Sequence, residues 1–311
     1  MTQNQTDIYQ KVTNLILSLL ESAQKLTFRQ PWINVGGGNP INVKSKKYYR
    51  GINWLLLSII AVSKNYNVNR WLSLKQANEL GGRIRKGEKA SPVVLYKKTF
   101  FDKNGKRYTD IEIVEMNQQT KTALAIISKT LLTEYSVFNV AQIEGLPSEL
   151  YMMPNARVFN EFEKDTEAEE LLKLSGAKIS YAGNQAYYSQ ITDEIVLPPR
   201  NQFENGEPFY DTAFHELAHW TGHPTRLNRE KKNEDAKKDY ALEELVAELS
   251  TAFVCASLGF DSQITNNAAY LKSWIKALKE DNKIILKVCT DAQKASDYIL
   301  QPLHSEQEKV A

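Results

Sequence analysis

Apolar positions along the chain recur at two different periods, and the switches between them predict the elements. From Ile8 to about Ser22 the residues Val12, Leu15, Ile16, Leu19 and Leu20 fall at helical spacing, so an amphipathic helix is expected. Gly36-Gly37-Gly38-Asn39-Pro40 then breaks the chain into a loop. A second helix is expected from Gly51 to about Lys64. A third runs from Ser73, where Ser73 and Gln76 form a capping box, to Leu80, and Gly81-Gly82 ends it. The stretch Pro92 to Phe101 reads as a strand because it is rich in β-branched and aromatic residues. Asp102-Lys103-Asn104-Gly105 follows as a hairpin turn and Tyr108 to Glu115 as the partner strand.

Turn signals at Glu144-Gly145-Leu146-Pro147 and Met153-Pro154-Asn155 precede an acidic helical pattern that begins near Glu161. They place a domain boundary near residue 150, giving 1–150 and 151–311. Beyond it, Lys178 to Ala182, Ala186 to Gln190 and Glu194 to Leu197 read as short strands. Helical patterns follow over Tyr240 to Leu258, Asn267 to Lys279 and Asp291 to Leu300. The expected fold class is α+β in two domains.

Composition narrows the class without deciding the function. A hydrophobic share of 42% with 24% charged residues is that of a globular protein with a core, which excludes general disorder. The longest apolar stretch, Ile52 to Val62, is interrupted by Asn53 and Ser58 and is far short of the ~20 residues of a membrane span. No secretory signal follows Met1, so a cytoplasmic protein is expected. Cys255 and Cys289 read as small buried apolar residues, not as a disulfide or a metal pair.

Charge changes the picture more. The net charge of +2 divides into 21 Lys+Arg against 8 Asp+Glu over residues 1–130, a net of +13, and 18 against 29 over the rest, a net of −11. A basic module for a polyanion is thereby joined to an acidic module with another task. Lys44-Ser45-Lys46-Lys47-Tyr48-Tyr49-Arg50 mixes cations with aromatics, Trp54 follows one turn later, and Arg70-Trp71 and Gly81 to Lys89 add more. Cations that track phosphates, interleaved with rings on which bases stack, suit single-stranded nucleic acid. The candidate contacts are Lys46, Lys47, Tyr48, Tyr49, Arg50, Trp54, Trp71, Arg83, Arg85, Lys86 and Lys89. The competing reading is that these loops are merely solvated and that Trp54, inside Ile52 to Ile60, belongs to the core.

The chain has four histidines, and His215, His219 and His223 lie within nine positions of one another. In His215-Glu216-Leu217-Ala218-His219 the two imidazoles are four apart, so on a helix both face one side ~5–6 Å from each other and can reach one ion. Glu216, about 100° further round, sits beside the ion as a general base toward water. Phe209, Ala213, Phe214, Leu217, Ala218 and Trp220 make the helix a buried one, where unpaired His and Glu would be costly. Gly222 stops it. A third ligand has two candidates. His223 is flanked by Gly222 and Pro224, which break the helical face, and where a metzincin has its third His this chain has Thr225. Alternatively, Glu244 and Glu248 share a face of the next helix while Glu243 faces elsewhere. That arrangement is similar to gluzincin-type zinc proteases, in which such a Glu completes the site and a residue four later orients a ligand His. The likeness implies Glu244 as ligand, Glu248 as its supporting partner, and one zinc or another divalent ion per chain. Strand Ile191 to Leu197, just before the metal helix, would be the edge strand that pairs with an extended peptide.

Together the two halves resemble ArdC-type antirestriction proteins. Pro31-Trp32, Asn39-Pro40, Tyr48 to Asn53, Arg70-Trp71-Leu72, Gln76-Ala77, Gly81-Gly82, Arg85 to Lys89 and Pro92-Val93-Val94 look like the family's N-terminal domain. His215 to His223, Arg226 to Arg229, Tyr240-Ala241 and Glu243 to Glu248 look like its zincin-like metallopeptidase domain. The resemblance implies a protein of plasmids and other mobile elements that binds single-stranded DNA and protects incoming DNA from restriction during conjugation. A different class stays open: a metal-dependent protease that cuts one regulatory protein, with the basic domain only locating it. In a third reading the chain is a structural accessory to DNA processing, its metal serving only the fold.

Overall fold

The structure, a computed structural model, describes residues 9–18, 38–152, 165–229, 236–259, 275, 279–281 and 283–310. Helix α1 covers 9–18 and buries Val12, Ile16 and Leu17, the stripe expected from the pattern. Strands β1 (Ile41–Asn42) and β2 (Lys47–Tyr48) form a small hairpin before helix α2 (Ile52–Ser63). Strand β3 (Arg70–Leu72) leads into α3 (Leu74–Glu79), whose Ser73 and Gln76 exchange the two bonds of the capping box. Strand β4 (Arg83–Ile84) follows. The expected helix beyond residue 18, Gly36, Gly37, Met153-Pro154-Asn155 and most of Asn267 to Lys279 lie outside the described residues.

The long hairpin of this half corrects the sequence reading. Strand β5 (Ser91–Phe101) pairs antiparallel with β7 (Ile127–Asn139) from Ser91↔Val137 to Phe101↔Ile127. Of the expected partner only β6 (Arg107–Tyr108) pairs with β5, while Asp110–Glu115 is helix α4. The reason is local: Thr109 accepts a bond from the Glu112 N–H and the Glu112 side chain accepts from the Thr109 N–H, a capping box that opens a helix. Helix α5 (Gln118–Ala123) completes the connection. The sheet runs β2-β1-β3-β7-β5-β6, and β4 pairs with β8 (Ile143–Glu144).

The second half begins with α6 (Thr166–Leu174) and strands β9 (Lys178–Tyr181), β10 (Tyr187–Ser189) and β11 (Glu194–Leu197). Their order is β10-β11-β9, so β11, expected as an edge, is central and β10 is an edge strand beside it. Ile191 belongs to the turn between them, 98% exposed. Helix α7 (Gly206–Thr221) ends at Gly222 as expected, and α8 (Ala236–Leu258) and α9 (Ile284–Val310) complete the described elements. No helix among them is long and apolar enough to cross a membrane. Cys255 and Cys289 are buried and form no disulfide.

One hydrophobic cluster joins both ends of the chain. Val12 and Ile16 of α1, Trp54, Leu55 and Ile59 of α2, Leu245, Leu249 and Phe253 of α8, and Ile285, Val288 and Cys289 of α9 pack together. The rings of Trp54 and Phe253 meet edge-on, centroids 4.8 Å apart. Polar links follow the same seam: the Gly51 N–H donates to Gln293 Oε1 at 2.8 Å, and Arg50 pairs with Asp297. The opposite side of α8 packs with α6, β11 and α7 through Ala247, Val254, Cys255, Phe214 and Leu217. Helix α8 is thus covered on two sides, which is why its apolar residues surround it.

Candidate metal centre and basic surface

Helix α7 starts at Asn205, whose side chain caps the Glu207 N–H at 3.0 Å. Phe209, Tyr210, Ala213, Phe214, Leu217 and Ala218 press it into the core, so the one-turn pair His215 and His219 is held facing α8. Their Nε2 atoms are 3.2 Å apart. Glu244 reaches both, with Oε2 3.5 Å from His215 Nε2 and Oε1 3.5 Å from His219 Nε2. One ligand atom from each of the three lies within 4.8 Å of the others. Two imidazoles and a carboxylate converging from two rigid helices are a donor set for a divalent ion. Of the two candidates for third ligand, the structure brings Glu244 to the pair. His223 turns away, its Nδ1 2.8 Å from Thr225 Oγ1.

Glu216 is 8% exposed, and burial raises its carboxyl pKa, aided by the charge of Glu244 and opposed by His215 and His219. The main-chain N–H of Tyr188, on edge strand β10, lies near it and favours its charged form. Burial works against charging His215, yet bonding to Glu244 and the charges of Glu216, Glu244 and Glu248 raise its pKa. Tyr240, one turn before Glu244, bonds to that carboxylate.

The surroundings of His219 correct one expectation. Glu248 is buried and its charge acts on His215, but Glu243, expected to face elsewhere, lies with Oε1 3.4 Å from His219 Nδ1. An imidazole has nitrogens on two sides, so adjacent residues of α8 can both reach it: Glu244 at Nε2 and Glu243 at Nδ1. Arg229, in the loop after α7, donates to both Glu243 oxygens at 2.6 and 3.0 Å, to Thr221 Oγ1 at 2.6 Å and to the Ala218 carbonyl at 2.6 Å. The bonds from His219 and Arg229 outweigh burial and hold the Glu243 carboxyl below its usual pKa. The sequence pattern gives neither residue a place in the site, although Arg226-Leu227-Asn228-Arg229 carries part of the family resemblance. A second cluster pins the β10–β11 turn: Arg226 lies over the Trp220 ring, 3.9 Å from its centroid, and donates to Asp193 and to Tyr188 Oη.

The basic residues sort into free and engaged. Lys46, Lys47 and Tyr48 are exposed on the β1–β2 hairpin, and Arg83, Lys86 and Lys89 are exposed around β4. These five cations have no acidic partner among the described residues. Both segments adjoin α3, the hairpin through Lys44–Glu79 and Asn42–Gln76 bonds and β4 by direct packing. Arg50 is exposed but paired with Asp297, and Arg85 donates to the Ala141 carbonyl and faces Glu88 at 3.6 Å. Tyr49 is half-buried with its hydroxyl accepting from Asn42. Trp54 and Trp71, expected from sequence as stacking faces, are 4% and 0% exposed. Their indole N–H groups donate to Asn39 and Asn69, and neither ring has a face open to a base. They are core residues because α2 and β3 are covered from both sides.

A basic α+β part followed by two helices that gather His215, His219 and Glu244 defines a basic module joined to a zincin-like metal centre. Residues 6–138 match the family described as the N-terminal domain of anti-restriction factor ArdC, and residues 166–291 match a zincin-like metallopeptidase family. The metal-free crystal structure of the antirestriction ArdC protein from plasmid R388 is similar with a TM-score of 0.79 and 34% identity, over 96% of this chain and 98% of that one. Its Mn(II)-bound form gives 0.72 and 34% over 94% and 97%. The chain belongs to the ArdC family of antirestriction proteins. It is also 31% identical over 308 residues to the uncharacterized protein y4eC of Sinorhizobium fredii (strain NBRC 101917 / NGR234), covering 98% of this chain and 94% of that one. Two DNA primases TraC of Escherichia coli are 35% and 32% identical over 88% and 96% of this chain, which spans only 18% and 28% of their lengths.

Proposed function

We propose that the chain is an antirestriction protein of a mobile element that binds single-stranded DNA and holds one zinc or similar divalent ion at His215, His219 and Glu244. It acts in the cytoplasm, where entering DNA meets restriction enzymes. The observation that carries this reading is the likeness to the R388 antirestriction protein along nearly the whole of both chains, together with the three converging donors. The exposed Lys46, Lys47, Arg83, Lys86 and Lys89 would track phosphates, with Tyr48 offering a face for a base. An ion held by His215, His219 and Glu244 would supply Lewis acidity toward a bound water. Glu216, buried beside the ligands with its pKa raised, is placed to take and return a proton at its carboxylate.

A second reading is favoured by Tyr188: the edge strand β10 places a main-chain N–H against Glu216, where an extended peptide could add to the sheet. That reading is a protease acting on one regulatory protein. Transfer of an unmodified plasmid into a restricting host tests both. The wild type should raise transfer, and the Lys86→Ala/Lys89→Ala variant should raise it less. No protection by the wild type would overturn the antirestriction reading. Full protection by Glu216→Gln, with metal still bound, would remove peptidase chemistry from the mechanism.

A further inference from the structure

We propose that Arg229 is a positioning residue of the metal centre, acting through Glu243 on His219, and that residue 222 is glycine so that this guanidinium can dock. The inference rests on the metal-binding reading above and deepens it. Arg229 is 9% exposed at its side chain and directs its donors to four acceptors drawn from two helices: Ala218 and Thr221 at the end of α7, and both oxygens of Glu243 about two turns into α8. The loop folds back to allow this, with Leu227 N–H on the Thr221 carbonyl, Asn228 N–H on the His223 carbonyl and Arg229 N–H on the Gly222 carbonyl.

Gly222 is the independent observation. Its φ of −75° and ψ of −10° are open to any residue, so the backbone does not require glycine there. Space does. A Cβ on residue 222 would stand 2.8 Å from Arg229 Nη2, 3.0 Å from its Cζ and 3.1 Å from the His219 carbonyl. The guanidinium therefore lies against the bare α-carbon that ends the metal helix.

What the clamp achieves is orientation. With Glu243 fixed, His219 Nδ1 has one acceptor at 3.4 Å, which directs the proton to Nδ1 and turns the Nε2 lone pair toward His215 and Glu244. The sign of the effect distinguishes orientation from charge. A nearby cation repels a metal ion, so if Arg229 were only a charge, removing it would tighten binding. If it positions Glu243, removing it weakens binding.

The experiment is competition of the full chain against a chelator for zinc, with the melting temperature of the metal-free protein measured alongside. Arg229→Ala should lower zinc affinity about 10- to 100-fold, the usual cost of losing an outer partner of a ligand His. Arg229→Lys, which keeps the charge but not the fork, should lose most of the same factor. Gly222→Ala should weaken binding in the same direction, yet cost less in the Arg229→Ala background, where of the close approaches only the 3.1 Å one to the His219 carbonyl remains. Added guanidinium ion should restore affinity to Arg229→Ala and not to the wild type. Unchanged or tighter zinc binding in Arg229→Ala or in Gly222→Ala would overturn the proposal while leaving the metal site intact, as would a drop confined to the metal-free melting temperature. A wild type that takes up no zinc would overturn the metal reading itself, and this inference with it. Should Arg229→Ala fail to fold, Gly222→Ala and Arg229→Lys decide the outcome by the same criteria.

Discussion

Replacing Trp54 by Leu should weaken the fold and leave DNA affinity untouched. Trp54 is 4% exposed, meets Phe253 edge-on at 4.8 Å and donates its indole N–H to Asn39 Oδ1 at 2.6 Å. Leucine keeps an apolar side chain in the cluster but loses that bond, about 1 kcal/mol net. The aromatic pair contributes about another 1 kcal/mol, and the residual cavity adds about 1–2 kcal/mol. The expected loss is therefore roughly 3–4 kcal/mol, read by equilibrium unfolding in urea. Removing a stacking platform would instead cost ~1–3 kcal/mol per base, a roughly 5- to 150-fold drop in affinity. Fluorescence anisotropy with a labelled single strand, under conditions where the variant stays folded, should show no such drop. Tyr48, 60% exposed on the β2 strand, is the crossed control: Tyr48→Leu should alter stability by less than about 0.5 kcal/mol and weaken binding of the single strand. A Trp54→Leu protein of wild-type stability with weakened DNA binding would refute the assignment of Trp54 to the core.

Three further outcomes are expected. Zinc at about 100 times its dissociation constant should stabilise the wild type by about 2.7 kcal/mol, and calorimetric scans of His215→Ala and Glu244→Ala should show no such gain; an undiminished gain in both would discard the ligand set. Removing one of the cations proposed to track phosphates, by Lys86→Ala or by Lys89→Ala, should flatten the slope of log affinity against log salt by about 0.7, and an unchanged slope would mean those side chains are only solvated. Asp193 has its carboxyl pKa lowered from 3.8 to about 2, chiefly by bonding to Arg226, against the cost of burial and with help from Tyr188. A depressed folded pKa contributes stability present above about pH 4 and lost as pH falls through about 2, so the β10–β11 turn should stay protected from hydrogen exchange down to about pH 4 and loosen below it. In Asp193→Asn that acid-induced loosening should be absent.

The parts legible in the sequence were those fixed by short-range rules. The one-turn spacing of His215 and His219, the buried flanks of α7, its end at Gly222 and the capping box at Ser73 all follow from helix geometry, and the structure has them. The strand expected over Tyr108 to Glu115 failed because Asp110-Ile111-Glu112-Ile113 alternates like a strand while Thr109 and Glu112 carry the stronger local signal of a cap. That signal was readable. Strand β7 was missed for want of its partner, since β5 finds it only after a connection holding two helices. Sequence left Trp54 open between stacking face and core, because the residues that cover it arrive from α8 and α9, some two hundred positions away. Glu243 escapes a helical wheel because the wheel treats each position as facing one way, whereas His219 receives partners on two sides of its ring.

The cluster that unites α1 and α2 with α8 and α9 has a consequence for inheritance. A gene junction between the basic part and the metal part would leave Trp54 and Phe253 each facing water, so neither piece could travel alone without repair of its surface. Exchange between mobile elements should move the two together. The two primases, far longer chains, match this one across 280 and 303 residues, a span that takes in both parts.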